Sequence, residues 1–316
     1  MPYLAGITIY PVKSLDGLGL AEATVLPSGG LMHDRRWRLV DDEGAVVSAK
    51  KNARFHGIRA TFQIEGIEGS RSDFKEGNNF VTLSVDECVP SYLSSLEEET
   101  FPLVPGRDGP CGWLSEALAT DVLLQERFDG GFPDDRDAPG PTLISHESLN
   151  EVARWFSWTT AEARRRFRMN IEVATEQNDE NGEIGSQDFG MKVQGPFWED
   201  SLACPFSAES CAEADAVGFF EPEYHVGDPC LFQIGAVVFQ AVGVCRRCAV
   251  PERNSFTGEI SHLFRDRFEA FRLRRLPPNV EASGWSDFYC LGINTQLKSC
   301  PKSIEVGQQF RICSQL

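Results

Sequence analysis

CLFQIGAVVFQAVGVCRRCAVPERNSFTGE, residues 230–259, is the stretch on which the reading of the whole chain turns. Its first half is apolar and rich in β-branched and aromatic residues, the pattern of a β-strand. That strand delivers Cys245 and Cys248, which bracket Arg246 and Arg247. A structural zinc site needs four Cys or His ligands, commonly from two paired motifs. Here there is no second C-x-x-C and no H-x-x-x-H, and the five histidines are scattered. An iron–sulfur cluster would also need four thiolates, yet the other cysteines lie at wide, irregular intervals. A thioredoxin-like dithiol opens a helix, whereas PERNSFTGE reads as a loop ending in a turn. Two readings stay open on the motif alone. One is a single thiolate whose charged form the neighbouring arginines favour; the other is a pair of partly buried cysteines at a strand end.

Outward from this stretch the β pattern dominates. LAGITIYPVKS, AEATVLPSGGL, RRWRLVDDEGAVVSAK and NNFVTLSVDE are short β-rich runs divided by turn residues. DDEG at 41–44 predicts a hairpin, because Gly44 can supply a positive φ. Helical periodicity begins near residue 112 with GWLSEALA. It continues in SHESLNEVARWF, where Leu149, Val152, Ala153 and Phe156 share a face, and in TTAEARRRF, where Thr159 and Glu162 are spaced as a capping box. Residues 125–141, rich in Gly, Pro and Asp, predict a surface loop. NIEVAT, CLFQIGAVVFQAVGV, FYCLGINTQL and IEVGQQFRI return to strand, and 204–230 has no clear period. The fold class is α+β and predominantly β, with a β-rich unit over 1–112 and a mixed unit over 113–314.

The chain has 316 residues, enough for two domains. It carries 47 acidic against 30 basic side chains, a net charge of −17, which repels phosphate backbones and argues against nucleic-acid binding. No run approaches the ~18 apolar residues of a membrane span. MPYLAGITIYPVKS lacks the pattern of a signal peptide and reads as a first strand. Ten cysteines without an export signal predict reduced thiols and a cytoplasmic protein. No G-x-G-x-x-G follows a strand, so unaided use of a nicotinamide cofactor is not expected.

Several polar groups recur at strand and helix ends. Lys13 and Ser14 close the first strand and could hold an oxyanion or lie on the surface. Asp34, Arg35 and Arg36 precede Trp37 as an anion clamp or an ion-pair cluster. RRRFRMN, 164–170, reads by itself as a solvated helix end with cations at the negative pole of the dipole.

Taken in order, YPVKS (10–14), GLMHDRRW (30–37), LISHESL (143–149), RFRMNI (166–171), GFF (218–220), the C-x-R-C with TG at 257–258, and IEVGQQF (304–310) resemble the MOSC family. The resemblance is closer to its amidoxime-reducing branch and runs from about residue 3 to 312. PFWEDS at 196–201 is similar to that family's acidic segment. The resemblance implies an N-terminal β-barrel domain followed by a MOSC domain, itself a β-barrel with flanking helices. It implies a molybdenum–molybdopterin cofactor, with Cys248 as catalytic residue and metal ligand and Cys245 as a structural neighbour. Lys13, Ser14, Arg35 and Arg168 fall at cofactor-contact positions, with Asn170 and Tyr289 as further contacts and Arg246 beside the metal. The implied activity is reduction of N-hydroxylated small molecules (amidoximes, hydroxylamines, N-hydroxylated bases). Electrons would come from a separate donor protein of ferredoxin, flavodoxin or cytochrome b5 type. The alternative is a cofactor sulfur-transfer or carrier protein.

Three departures from the family pattern stand out. Arg246 replaces a small hydroxyl residue, Asn254 replaces an aspartate, and Ala138, Pro139 and Gly140 replace hydroxyl-bearing residues. A donor docking patch is expected from Arg164, Arg165, Arg166, Arg272, Arg274 and Arg275.

Overall fold

The protein is described here by a computed structural model over residues 1–67, 79–86, 96–175, 195–203, 230–277, 280, 285 and 287–313. The first half holds β1 (Pro2–Ile9), β2 (Leu18–Leu20), β3 (Glu22–Thr24), β4 (Trp37–Val40) and β5 (Val46–Val47). A 3-10 helix (Ala53–Gly57), β6 (Ile58–Gln63), β7 (Phe80–Val85), β8 (Glu99–Pro102), α1 (Cys111–Leu118) and β9 (Leu123–Glu126) follow. The second half holds β10 (Leu143–Ser145), α2 (His146–Trp155), α3 (Thr160–Phe167), β11 (Ile171–Thr175) and α4 (Asp200–Ala203). It ends with β12 (Leu231–Ile234), β13 (Val237–Arg246), α5 (Phe264–Leu273), β14 (Cys290–Leu297), β15 (Ser303–Glu305) and β16 (Phe310–Cys313). The molecule is α+β and predominantly β, as its patterning predicts. The stretch 204–229, with the GFF element, lies outside the described residues.

The main sheet has the order β16-β12-β13-β14-β10-β11-β1-β2. The first strand therefore pairs with β11, across the halves of the sequence, with Leu4 opposite Val173 and Ile7 opposite Ile171. Only β10 and β11 pair in parallel among the described ladders, and such a pair needs a long crossover. α2 and α3 supply it. At the far end, Leu4 N donates to the Gln308 carbonyl and Gly307 N to the Leu4 carbonyl, so the sheet curls until β1 meets the start of β16. The inward faces bury Leu4, Ile7, Val173, Phe232, Phe239, Ile293 and Phe310 in one apolar cluster.

Residues 230–244, read from sequence as one strand, are instead a hairpin. Gly235, at φ 56°, opens a two-residue loop that lets Ile234 pair with Val237. The DDEG hairpin forms as expected: Gly44 sits at φ 81°, and the Asp41 carboxylate accepts from Glu43 N and Ala45 N. α5 had no counterpart in the sequence reading, because Leu263 at its N-cap offers no side-chain cap and only Phe264, Phe268 and Arg272 turn inward. The sheets β5-β4-β9 and β6-β7-β8 enclose a second cluster around Trp37, Phe55, Leu83 and Leu114. A third, aromatic cluster joins α2, α3 and α5 through Phe167, Phe264, Phe268 and Tyr289.

Candidate functional site

Where the turn after β1, the 3-10 helix, the end of α3 and the end of β13 converge, they leave a cleft of about 610 Å³. Among the described residues, ten Lys and Arg line it, against four Asp and Glu. A surplus of cations in so acidic a chain focuses positive potential there.

Seven of the eight site residues expected from sequence meet in this cleft: Lys13, Ser14, Arg35, Arg168, Asn170, Arg246 and Cys248. Tyr289 does not line it. Its ring packs edge-on to Phe268, its carbonyl accepts from Arg247 N at 2.8 Å, and its hydroxyl is buried without a partner. It supports the cysteine loop from behind, and burial raises its pKa.

Asn170 is the hub of the polar wall. Its Oδ1 accepts from Arg35 Nη1 at 2.9 Å and from Thr142 N and Oγ1, while its Nδ2 donates to the Thr8 carbonyl. Its Oδ1 is shared between Arg35 and Thr142, so it orients Arg35, and Thr142 is a supporting residue that no sequence signal marked. Asp34 accepts from Tyr10 N and pairs with Arg35. Burial opposes the Arg35 charge, but Asp34 and then Asp134 hold its pKa above the ordinary value. The HDRRW motif splits: Arg35 faces the cleft, whereas Arg36 turns away to Glu126 at 2.6 Å and stacks on Trp37 and Phe128.

Lys13 pairs with Asp134 at 2.8 Å on the loop 127–142. Burial disfavours the Asp134 charge, yet Arg35 and Lys13 hold its carboxyl well below the usual range. Ser14 is at φ 78°, a strained value for a serine, with its Oγ accepting from Ala49 N at 3.0 Å.

The RRRFRMN stretch departs from the solvated helix end its local pattern suggests. Arg166 is buried, and Arg165 and Arg166 both reach Glu162, with Arg165, Arg166 and Arg168 lining the cleft. Thr159 Oγ1 caps Glu162 N at 3.1 Å, but the Glu162 carboxylate turns to those arginines and to Ser255, so the capping box is one-sided. Arg168, in the left-handed conformation at the end of α3, donates to the Leu15 carbonyl and lies 4.1 Å over the Tyr10 ring. Burial lowers its pKa.

Cys245 and Cys248 have distinct environments. Cys245 is buried in β13 and accepts from Arg247 Nη1 at 3.0 Å. Cys248 lies beyond the strand end and is partly exposed at the cleft wall. Arg247 points inward, to the Phe167 carbonyl and the Met169 sulfur. Burial works against its charge, and Cys245 followed by Cys248 raises its pKa regardless. Arg246 is the exposed member of the pair. Among the described residues, no group of three or more His, Cys, Asp and Glu could hold a metal ion by itself.

His56 was not singled out from sequence. It lines the cleft on the 3-10 helix, only 9% exposed, and its Nε2 is buried without a partner. Burial first, then Arg253, Arg168, Arg59 and Arg166, push its pKa down to about 4.

Asn254, at a departure from the family pattern, accepts from Phe256 N and Thr257 N and so holds the following turn, as an aspartate would. Gly140 donates its N–H to the Thr295 carbonyl, and an added Cβ would come within 2.5 Å of that oxygen. The expected donor patch does not form as a unit. Arg272 is fully buried against Asp200 at 2.5 Å, Arg166 is buried, and Arg164 pairs with Glu172. Arg274 and Arg275 are exposed. Among the described residues no helix is long and apolar enough to cross a membrane.

The chain is 27% identical over 220 residues to "Molybdenum cofactor sulfurase" of Drosophila melanogaster and 26% over 218 residues to that of Drosophila yakuba. Each match covers 64% of this chain and 28% of the relative. Over a stretch of 63 residues the chain is 38% identical to the protein of that name in Oryza sativa subsp. japonica, which is 20% of this chain and 8% of the relative. The chain thus matches under a third of the length of these proteins. Residues 1–118 match the family model of the MOSC N-terminal beta barrel domain.

Proposed function

We propose that the cleft binds the molybdenum cofactor and that the protein reduces N-hydroxylated compounds with electrons from a separate donor protein. The observation that carries this reading is the meeting of one partly exposed thiol, Cys248, with a surplus of guanidinium groups in a single cleft. A thiolate suits a soft metal, and arginines suit a phosphate-bearing, polar ligand. The residues present fit such a group. Arg168 has no ion-pair partner among the described residues, so its charge is available to an anion. Arg35 is preset by Asp34 and Asn170, which lowers the cost of ordering it on binding.

In this reading Cys248 supplies the protein's ligand to molybdenum, and Lys13, Ser14, Arg35 and Arg168 hold the pterin and its phosphate. When bound, the cofactor supplies two-electron reduction at the metal. Arg247 fixes the loop between the cysteines, Asn170 orients Arg35, and exposed Arg246 makes the mouth of the cleft more positive. Tyr289 supports the cysteine loop. Units of 1–112 and 113–314 and a cytoplasmic location are part of the same proposal.

Metal and pterin analysis tests it. The expected result is about one molybdenum and one pterin per chain from a host that makes the cofactor. With reduced viologen as donor, Cys248→Ala should abolish reduction of a benzamidoxime, and Cys245→Ala should keep much of it. Stoichiometric zinc without molybdenum or pterin ends the proposal. The names of the relatives favour a second reading, in which Cys248 carries sulfur for cofactor maturation. A Cys248 persulfide, with cofactor bound but no N-hydroxyl reduction, would select it.

A further inference from the structure

Among the described residues, His56 is the one imidazole in the lining of the cleft, and its surroundings are unusual for a buried histidine. The 3-10 helix that carries it is fixed at both ends. Asn52 caps it by accepting from Arg54 N and donating to the Leu118 carbonyl, and Gly258 packs so closely on the Ala53 carbonyl that a Cβ there would sit 2.6 Å away. Arg59 holds the His56 carbonyl from β6 and reaches Ser255 on the turn after β13. The ring therefore cannot drift away from its neighbours.

The charges that act on it are cations from three elements: Arg59 of β6, Arg166 and Arg168 at the end of α3, and Arg253 of the turn after β13. The helix α1, which also packs on the 3-10 helix, brings no cation. The nearby carboxylates are already engaged. Glu162 is shared by Arg165 and Arg166, Asp16 and Asp86 attend Arg59, and Arg168 has only a carbonyl and a ring. A protonated imidazole here would be one more cation among four, while the neutral ring keeps a buried nitrogen with nothing bound to it.

We infer that a dianion entering the cleft beside Arg168 is bound together with a proton, and that His56 is the group that takes it up. The anion offsets the repulsion that keeps the ring neutral, and the imidazolium then adds a positive charge facing the ligand. Binding of an anionic group becomes proton-coupled, and release is favoured as pH rises. This rests on the reading of the cleft as a seat for a phosphate-bearing ligand, but it does not depend on molybdenum.

Sulfate tests it on the full chain made in a host without the pterin, because sulfate does not itself titrate between pH 5 and 8. The folded-state ring is neutral above about 4, so a ring restored to an ordinary histidine pKa by the anion makes affinity fall as pH rises. Sulfate should bind roughly ten- to thirtyfold tighter at pH 5 than at pH 8, with proton uptake seen by calorimetry in buffers of different ionisation enthalpy. His56→Gln should flatten that dependence to less than about threefold. Independently of any variant, the ring-carbon resonance of His56 at pH 5.5 should move to its protonated position on saturation with sulfate. An affinity that does not change with pH, a His56 resonance that stays neutral, or no sulfate binding at all would overturn the inference. Absence of molybdenum in the loaded protein with these results intact would instead sink only the cofactor reading.

Discussion

Arg272 and Arg168 both stand at the end of a helix, the first in the last turn of α5 and the second just past α3. Arg272 has its counter-charge in the chain: Asp200 at 2.5 Å, with the Cys290 carbonyl on its Nε, all without exposure to solvent. Arg168 has a carbonyl and an aromatic ring, stands beside Arg35, and faces an open cleft. The two differ in exposure, Arg272 being fully buried and Arg168 partly exposed, and in whether the chain supplies a carboxylate for each.

The largest effect expected from this contrast is on folding. Arg272→Ala leaves Asp200 buried without its cation, and breaking such a pair costs about 3–5 kcal/mol. Arg168→Ala removes a cation whose charge burial already disfavours, and should change the unfolding free energy by less than about 1 kcal/mol. If the cleft holds the cofactor as proposed, the same variant should lose most of the pterin on dialysis, each charge-assisted contact being worth about 1.5–3 kcal/mol. Urea unfolding of the two variants side by side decides the matter. Equal destabilisation would mean that Arg168 is structural after all.

The carboxylates behind the helices sharpen the comparison through pH. Burial, then the neighbouring Asp200, pushes Glu199 up to about 7. A carboxyl with a raised pKa is protonated in the folded chain while the unfolded chain has already released the proton. Its contribution is complete below the unfolded value of about 4.5 and is lost as pH rises through the folded one. Stability should fall by up to about 3 kcal/mol between pH 5 and 8 on this account, and Glu199→Gln should remove that fall. An unchanged pH slope in the variant would place the titration elsewhere.

The β-rich class, the DDEG hairpin, α1, α2 and α3 were legible in the sequence, because each rests on local periodicity or a turn residue. So were seven residues of the cleft, out of eight expected, since they stand where strands and helices end and resemble a family pattern in order. What the sequence hid is non-local. Nothing in RRRFRMN says that Arg166 turns inward to Glu162, or that Arg272 finds Asp200 72 residues away. The Gly235 hairpin was hidden by an unbroken apolar run. A lone histidine such as His56 has no periodicity to mark it, and only the fold gathers arginines from three elements around it.

The smallest effects belong to a third kind of arginine, exposed and paired. Arg154 and Arg275, 74% and 58% exposed, reach the same Glu151 carboxylate at 2.8 and 3.2 Å. Such pairs are worth about 0–1 kcal/mol because water and salt screen them. Glu151 itself is buried and also accepts from Trp155 Nε1 at 3.1 Å, so either cation suffices to keep it company. Arg154→Ala and Arg275→Ala should each cost less than about 0.5 kcal/mol at low salt, and less again in 1 M salt. Removing both leaves Glu151 with the indole alone, so the double variant should cost more than the two single costs together. A double-mutant cycle by urea unfolding measures that excess. Strict additivity would show that Glu151 does not depend on its cations, and a single-variant loss as large as that of Arg272→Ala would erase the distinction between paired surface arginines and paired buried ones.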